Sequence, residues 1–401
     1  MAKLMRLGLF SLFVAGLFAV GARRADAYPQ FQFSSGTARC AQCHYSPSGG
    51  GLLTSWGRDE SGDTVSMAGG SGAFAHGAWT PPDWLALGAD FRFALLTNDT
   101  GGDESKEFAY FPMQLDVYAR ANFTSEISLN VTVGDRGVVR PDDASVAGRF
   151  KDFPDRLVSK EHYLQWRPSA SGPYVRLGKF QVPYGIRFVE HIYFVRRFTG
   201  FNLYEEPYAL SGGYFAEDWE AHVSAFTPPP TSAPDFVRSV GQPESGIAAF
   251  AEKRYAGALA VGLQARLGVA SEESRYQGGA EVKYWLEPAK LLLMGEADLI
   301  HQTFKTAAVS QDQFVSFLGA TLFPTKGLMI GAAYERFQED LSVSKTGRNA
   351  IDGQINLFPY AHFELVILAR YQPAGASVTT GTTTTPGAAA SLGMLQLHYY
   401  L

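Results

Sequence analysis

From Trp84 to the last residue the chain alternates apolar and polar side chains with a period of two. Leu259, Val261, Leu263, Ala265, Leu267 and Val269 fall on one face of such a segment, and Ala260, Gly262, Gln264, Arg266 and Gly268 on the other. Phe363, Leu365, Ile367, Ala369 and Tyr371 alternate with His362, Glu364 and Arg370. Met113, Leu115, Val117 and Ala119 alternate with Gln114, Asp116 and Arg120. This period marks strands with two unlike faces. A soluble sandwich needs a buried core face, and Arg266, Glu364 and Arg370 argue against one. Charges recurring opposite apolar rows fit a water-filled lumen inside lipid. The expected fold class is therefore all-β: an antiparallel transmembrane barrel of about 16 strands over residues 83–401.

The segments begin near residues 84, 107, 123, 156, 173, 205, 217, 244, 257, 274, 288, 311, 326, 347, 361 and 388. Every second link is short: Asn122–Ser125, Arg167–Pro173, Glu217–Trp219, Tyr255–Gly257, Glu287–Ala289, Pro324–Gly327 and Tyr360–His362. The long links Asp135–Asp155, Gly185–Tyr204, Thr227–Glu244 and Gln372–Ala390 alternate with them, as extracellular loops alternate with periplasmic turns. Trp166, Trp219, Tyr255, Trp285, Phe323 and Tyr360 flank the short turns, where an interfacial girdle is expected. The run Thr379–Thr385 is of low complexity and reads as a mobile loop. The alternating strand Leu395–Leu401 runs to the terminus, as in a barrel closed by its last strand, although a terminal aromatic is more usual than Leu401.

Residues 1–27 read as a targeting segment. Lys3 and Arg6 precede an apolar run from Leu7 to Val20, and Ala25-Asp26-Ala27 offers a small-x-small cleavage site. An uncleaved anchor is the alternative, but the run is short for a spanning helix. Removing the segment takes the formal net charge from −5 to −8. No basic patch points to nucleic acid. A mean hydropathy near zero excludes a helical membrane protein and leaves a barrel open, because lipid-facing and lumen-facing residues average out.

The chain has two cysteines, and both fall in Cys40-Ala41-Gln42-Cys43-His44. C-x-x-C-H is the attachment pattern of c-type haem: two thiols add to the porphyrin vinyl groups, and the histidine ligates the iron. A redox C-x-x-C would lie near a βαβ pattern, and none is visible. A local disulfide would close a very short loop and stabilise little. One covalent haem c is therefore expected on an arm spanning residues 28–82, about half a typical cytochrome domain. Within it, Trp56 is expected to pack on the macrocycle. Arg58 either pairs with a propionate or is a solvated surface residue. Gly49–Gly51 would permit close backbone approach to the porphyrin.

The motif does not supply the second axial ligand. Met67 and His76 are local candidates, and Met/His ligation would raise the potential. A five-coordinate iron or a ligand from the barrel are the alternatives. The long link after the strand Arg176–Phe180 carries Glu190-His191 and Arg196-Arg197. Folded into the lumen, it would bring His191 toward the iron and the arginines toward propionates. Otherwise it is a constriction loop with ordinary polar pairing.

An exported C-x-x-C-H arm followed by a barrel resembles the fused outer-membrane cytochrome–porins, among them the iron oxidases of iron-oxidising bacteria. Pro29, Phe31, Cys40, Cys43, His44 and Trp56-Gly57-Arg58 match that pattern in kind and order. The stretch Phe33–Arg39 and the Gly49–Gly51 insertion depart from it. The resemblance implies an outer-membrane, Fe(II)-oxidising electron-transfer protein that takes single electrons from extracellular Fe(II) to a periplasmic cytochrome. Outward transfer to an extracellular acceptor, and a diffusion porin with a haem-bearing plug, are the alternatives. Barrels of this size are often homotrimers, an analogy of fold alone.

Overall fold

The computed structural model describes residues 29–34, 39–99, 106–135, 157–202, 205–230, 242–374, 378–380, 383–385 and 389–401. The expected targeting segment and most of the links after Asp135 and Thr227 lie outside the described residues.

The strands are β1 (Leu85–Asp99), β2 (Lys106–Asn122), β3 (Ile127–Asp135), β4 (Leu157–Trp166), β5 (Gly172–Lys179), β6 (Tyr208–Phe215), β7 (Trp219–Thr227), β8 (Ser245–Tyr255) and β9 (Leu259–Val269). They continue with β10 (Glu273–Leu286), β11 (Leu291–Phe304), β12 (Val309–Thr325), β13 (Leu328–Gln338), β14 (Gly347–Leu357) and β15 (Phe363–Gln372). The short β16 (Val378–Thr380) and β17 (Thr383–Thr385) precede β18 (Ala390–Tyr400). All but β16 and β17 form one closed antiparallel barrel of 16 strands. It closes where β18 pairs with β1, from Asp90 opposite Tyr400 to Asp99 opposite Ser391. The threonine-rich run, expected as a loop, instead pairs as the hairpin β16–β17.

The barrel is inside out. Leu263, Leu318 and Leu177 stand more than half exposed on the outer wall, while Arg176, Glu220 and Glu335 are fully buried within. In water this would strand apolar surface and bury charge. In lipid the same pattern satisfies both faces, and closure pairs every wall strand on both sides.

Two expected outward positions turn inward. Trp285 and Phe323 are buried rather than girdle residues. Their rings pack together at 5.6 Å, and Phe323 meets Phe31 of the arm at 5.9 Å. The predicted outward row of β2 also begins at Leu115 rather than Met113. Arg92 pairs with Gln114 but Phe93 with Pro112, so Met113 is the extra residue of a bulge.

After β5, residues 180–202 enter the lumen and are tied to the far wall. Tyr184 Oη donates to Asp298 at 2.8 Å, and the Ile186 amide to Glu296 at 2.6 Å. Arg187 pairs with Glu220 at 2.7 Å. Beyond the one-turn helix α3 (Phe194–Arg197), Arg275 donates to the Phe198 carbonyl at 2.7 Å, and the Phe198 ring stacks on Phe337. The expected long link is thus an inward constriction.

Because the middle of β9 faces lipid, Leu263→Arg should lower folding stability in a bilayer by about 2–4 kcal/mol. Urea titration of protein refolded into vesicles measures it; an unchanged midpoint would mean that this face is not in lipid.

Candidate functional site

The arm enters the barrel at the end that carries the short turns. Inside it, Phe31 lies against Phe323 and Phe358, the latter at 5.6 Å. Gln32 donates to Glu252 at 2.8 Å and accepts from Lys283 at 3.0 Å.

Cys40-Ala41-Gln42-Cys43 forms the single helical turn α1 (Cys40–Cys43), and the His44 amide closes it on the Cys40 carbonyl at 3.0 Å. A turn this short is not stable alone. The barrel holds it: Ala41 is buried with Tyr174 and Phe215, and Arg167 donates to the Ala41 carbonyl at 3.4 Å. The following Ser46-Pro47-Ser48 loop is gripped by two arginines. Arg176 donates to Ser48 Oγ at 2.6 Å, and Arg187 to the Pro47 carbonyl at 3.2 Å.

The helix α2 (Ser55–Glu60) starts where Thr54 Oγ1 accepts from the Gly57 amide at 3.1 Å. Gly57 lies so close to α1 that a Cβ there would stand 2.4 Å from the Cys43 carbonyl oxygen. Only glycine allows this approach.

Cys40, Cys43 and His44 line one cavity of about 320 Å³. That is within the range of small-molecule sites. Gly49–Gly51 form part of its floor, β1 and β2 contribute Arg92 and Met113, β4 contributes Lys160, and the inserted loop contributes His191 and Arg196.

The two thiols are buried and not joined. Burial pushes the Cys40 thiol above its ordinary value. A redox or thiolate-ligand motif requires the opposite shift, so that reading fits poorly. Among the described residues no cluster of three or more His, Cys, Asp or Glu is placed to hold a bare metal ion. His44 Nδ1 lies 3.3 Å from the Gly51 carbonyl. A proton assigned to Nδ1 donates to that oxygen and places the ring lone pair on Nε2, the arrangement found in iron-ligating histidines. Paired buried thiols, a histidine with one ring nitrogen engaged and an adjoining cavity fit a c-type haem.

The other predicted site residues are distributed differently. His191 lines the cavity. Burial, then Arg196, Arg92 and Arg197, push its pKa down to about 4, so its imidazole is neutral at neutral pH. Arg196 also lines the cavity, whereas Arg197 does not. Trp56, Arg58, Met67 and His76 lie outside it, and each has another role.

Trp56 is largely exposed. Arg58 donates to the Leu87 carbonyl and covers the Phe74 ring at 5.7 Å, tying the arm to β1. The Met67 amide donates to the Phe358 carbonyl at 2.7 Å, docking the arm on the turn after β14. His76 Nε2 lies 3.0 Å from Tyr399 Oη, and its ring is 4.5 Å from that of His362. Arg58, Met67 and His76 fasten the arm to the rim, and none of the four lines the cavity. Sequence reasoning missed Arg92, Lys160 and Met113. The alternation rule places the first two in the lumen, but it cannot say which lumen residues meet the arm.

No family model matches the chain, and comparison with curated proteins finds no sequence match. Its structure does match solved porins. OprB of Pseudomonas putida aligns with a TM-score of 0.58 at 11% identity, over 79% of this chain and 94% of that one. OmpT of Vibrio cholerae aligns with a TM-score of 0.56 at 11% identity, over 80% and 99%. The anion-selective porin of Comamonas acidovorans gives 0.55 at 10%, over 79% and 99%. The fold is that of an outer-membrane porin. Such a barrel contacts lipid through its outer wall. At these identities the likeness carries fold alone, and it leaves about a fifth of the chain uncovered.

Gly57→Val should separate α2 from Cys43 and loosen the arm, while the barrel, whose strands do not depend on it, stays folded. Limited proteolysis should then cut within residues 45–80 at least tenfold faster, with heat-modifiable migration of the barrel unchanged. Equal cleavage of both proteins would show that the close approach is dispensable.

Proposed function

We propose that this protein is an outer-membrane cytochrome–porin that passes single electrons across the membrane through one haem c attached at Cys40 and Cys43. The observation that carries the reading is that both cysteines and His44 of the motif line one cavity enclosed by the barrel and its inserted loop. Bound there, the haem supplies reversible one-electron iron chemistry, which suits an Fe(II)/Fe(III) couple.

The chain's residues have definable parts. Cys40 and Cys43 hold the group covalently. His44 ligates iron, with Gly51 orienting its ring. Arg196 suits a propionate, since it lines the cavity and donates to the Phe188 carbonyl beside it. The barrel excludes lipid, and the arm with residues 180–202 occupies much of its lumen, which favours a conduit over an open pore. By resemblance, the donor is extracellular Fe(II) and the acceptor a periplasmic cytochrome.

The porin fold is equally coherent with a diffusion channel whose arm is a plug, and conductance separates the two. A trimer form is known for OmpT of Vibrio cholerae, and the same state is proposed here only by fold.

Detergent-extracted protein should stain for covalent haem after denaturation and show a c-type α-band on reduction. Cys40→Ala with Cys43→Ala should abolish both. Anaerobic Fe(II) should produce the band within seconds, and the protein in planar bilayers should conduct at least tenfold less than an open porin. Covalent haem that dithionite reduces but Fe(II) does not would reject the iron donor. Absence of covalent haem, together with porin-like conductance, would establish the diffusion channel instead.

A further inference from the structure

Strand β2 changes phase halfway along its length. Near the short-turn end, Asp116, Tyr118 and Arg120 are buried in the lumen while Leu115 and Val117 are exposed outside. Nearer the loop end, Tyr110 and Phe108 stand exposed, at 69% and 66%. Outward positions are odd below and even above, so one residue has been inserted between them. The register locates it at Met113, between the pairs Arg92–Gln114 and Phe93–Pro112. The insertion forfeits a ladder position inside a lipid-facing wall, where unpaired backbone is costly. Pro112 beside it lacks an N–H and suits the same break.

The insertion brings Met113 to the wall of the cavity. Met113 and Gln114 are consecutive, yet both line it. Among the described residues Met113 is the only methionine that does so. Met67 docks the arm at the rim, and Met294 and Met329 are buried in the apolar core without lining the cavity. A strand without the bulge would have presented Met113 to lipid with Leu115 and Val117. A thioether is one of the ligands that haem iron accepts beside histidine, and it raises the reduction potential.

We propose that Met113 is the second protein ligand to the iron, the bulge in β2 serving to turn it from lipid into the cavity that holds Cys40, Cys43 and His44. The proposal rests on the haem reading above. His191, which shares the cavity, is the competing ligand.

Full-length protein purified with its haem should be compared with Met113→Leu, Met113→His and His191→Ala. Leucine keeps the apolar volume and removes only the sulfur lone pairs, a volume-conserving change that cores tolerate. In Met113→Leu, covalent haem content should be unchanged. The long-wavelength sulfur-to-iron charge-transfer band of the oxidised protein should be lost, and the midpoint potential should fall. Met113→His should restore a six-coordinate low-spin spectrum, still at lower potential, and His191→Ala should leave band and potential in place.

Met113→Leu protein with full haem and an unaltered spectrum would overturn the proposal, as would loss of low-spin character in His191→Ala alone. Wild-type protein without covalent haem would overturn the reading beneath it instead, and the haem stain tells these failures apart.

Discussion

The structure depends on one constraint: within hydrocarbon each backbone amide and carbonyl must find its partner in the protein. A sheet meets it only by having no edge. The pairing of β18 with β1 supplies that closure, over ten residues from Asp90–Tyr400 to Asp99–Ser391. Once the wall closes, side chains can point only to lipid or to the lumen, and the period-two pattern assigns each to one side. Charge therefore collects inside. Arg370 with Glu335 and Asp352, and Lys283 with Glu252 and Glu281, are buried networks on the inner wall. A buried ion pair offsets its desolvation only when its geometry is good, so these networks fix registry more than they add stability.

The interior fixes where the arm can lie. Inside the lumen it is held by aromatic packing of Phe31 and by hydrogen bonds between lumen side chains and Gln32, Ala41, Pro47 and Ser48. Arg187 serves both the arm and Glu220, and it belongs to the inserted loop. Arm, loop and wall are therefore one packed unit, and the cavity is the space they leave between them.

Much of this was legible in the sequence. The sixteen segments and the alternation of short and long links follow from periodicity and from Gly and Pro punctuation, which act locally. The motif Cys40–His44 is local as well. What was not legible depends on meetings between distant segments. Trp285 and Phe323 look like girdle residues until Phe31 is known to pack with them in one buried cluster. Arg58, Met67 and His76 look like haem contacts until the rim they clasp is in view. Met113 fitted a regular outward row because a bulge leaves that row's polarity intact and betrays itself only in the pairing of the next strand. Pro112 was the one local hint.

The enclosure of α1 also bears on the order of biogenesis. Cys40 and Cys43 are 8% and 4% exposed, and Phe31 and Gln32 of the same arm are buried as well. An assembly enzyme that joins vinyl groups to those thiols cannot reach them in the finished barrel. On the proposed reading, the arm is loaded as an unfolded segment in the periplasm, and the strands then close around a finished cofactor. Delivery to the membrane would follow haem attachment. A chain that missed its haem would still close, sealing its empty thiols away from any later repair.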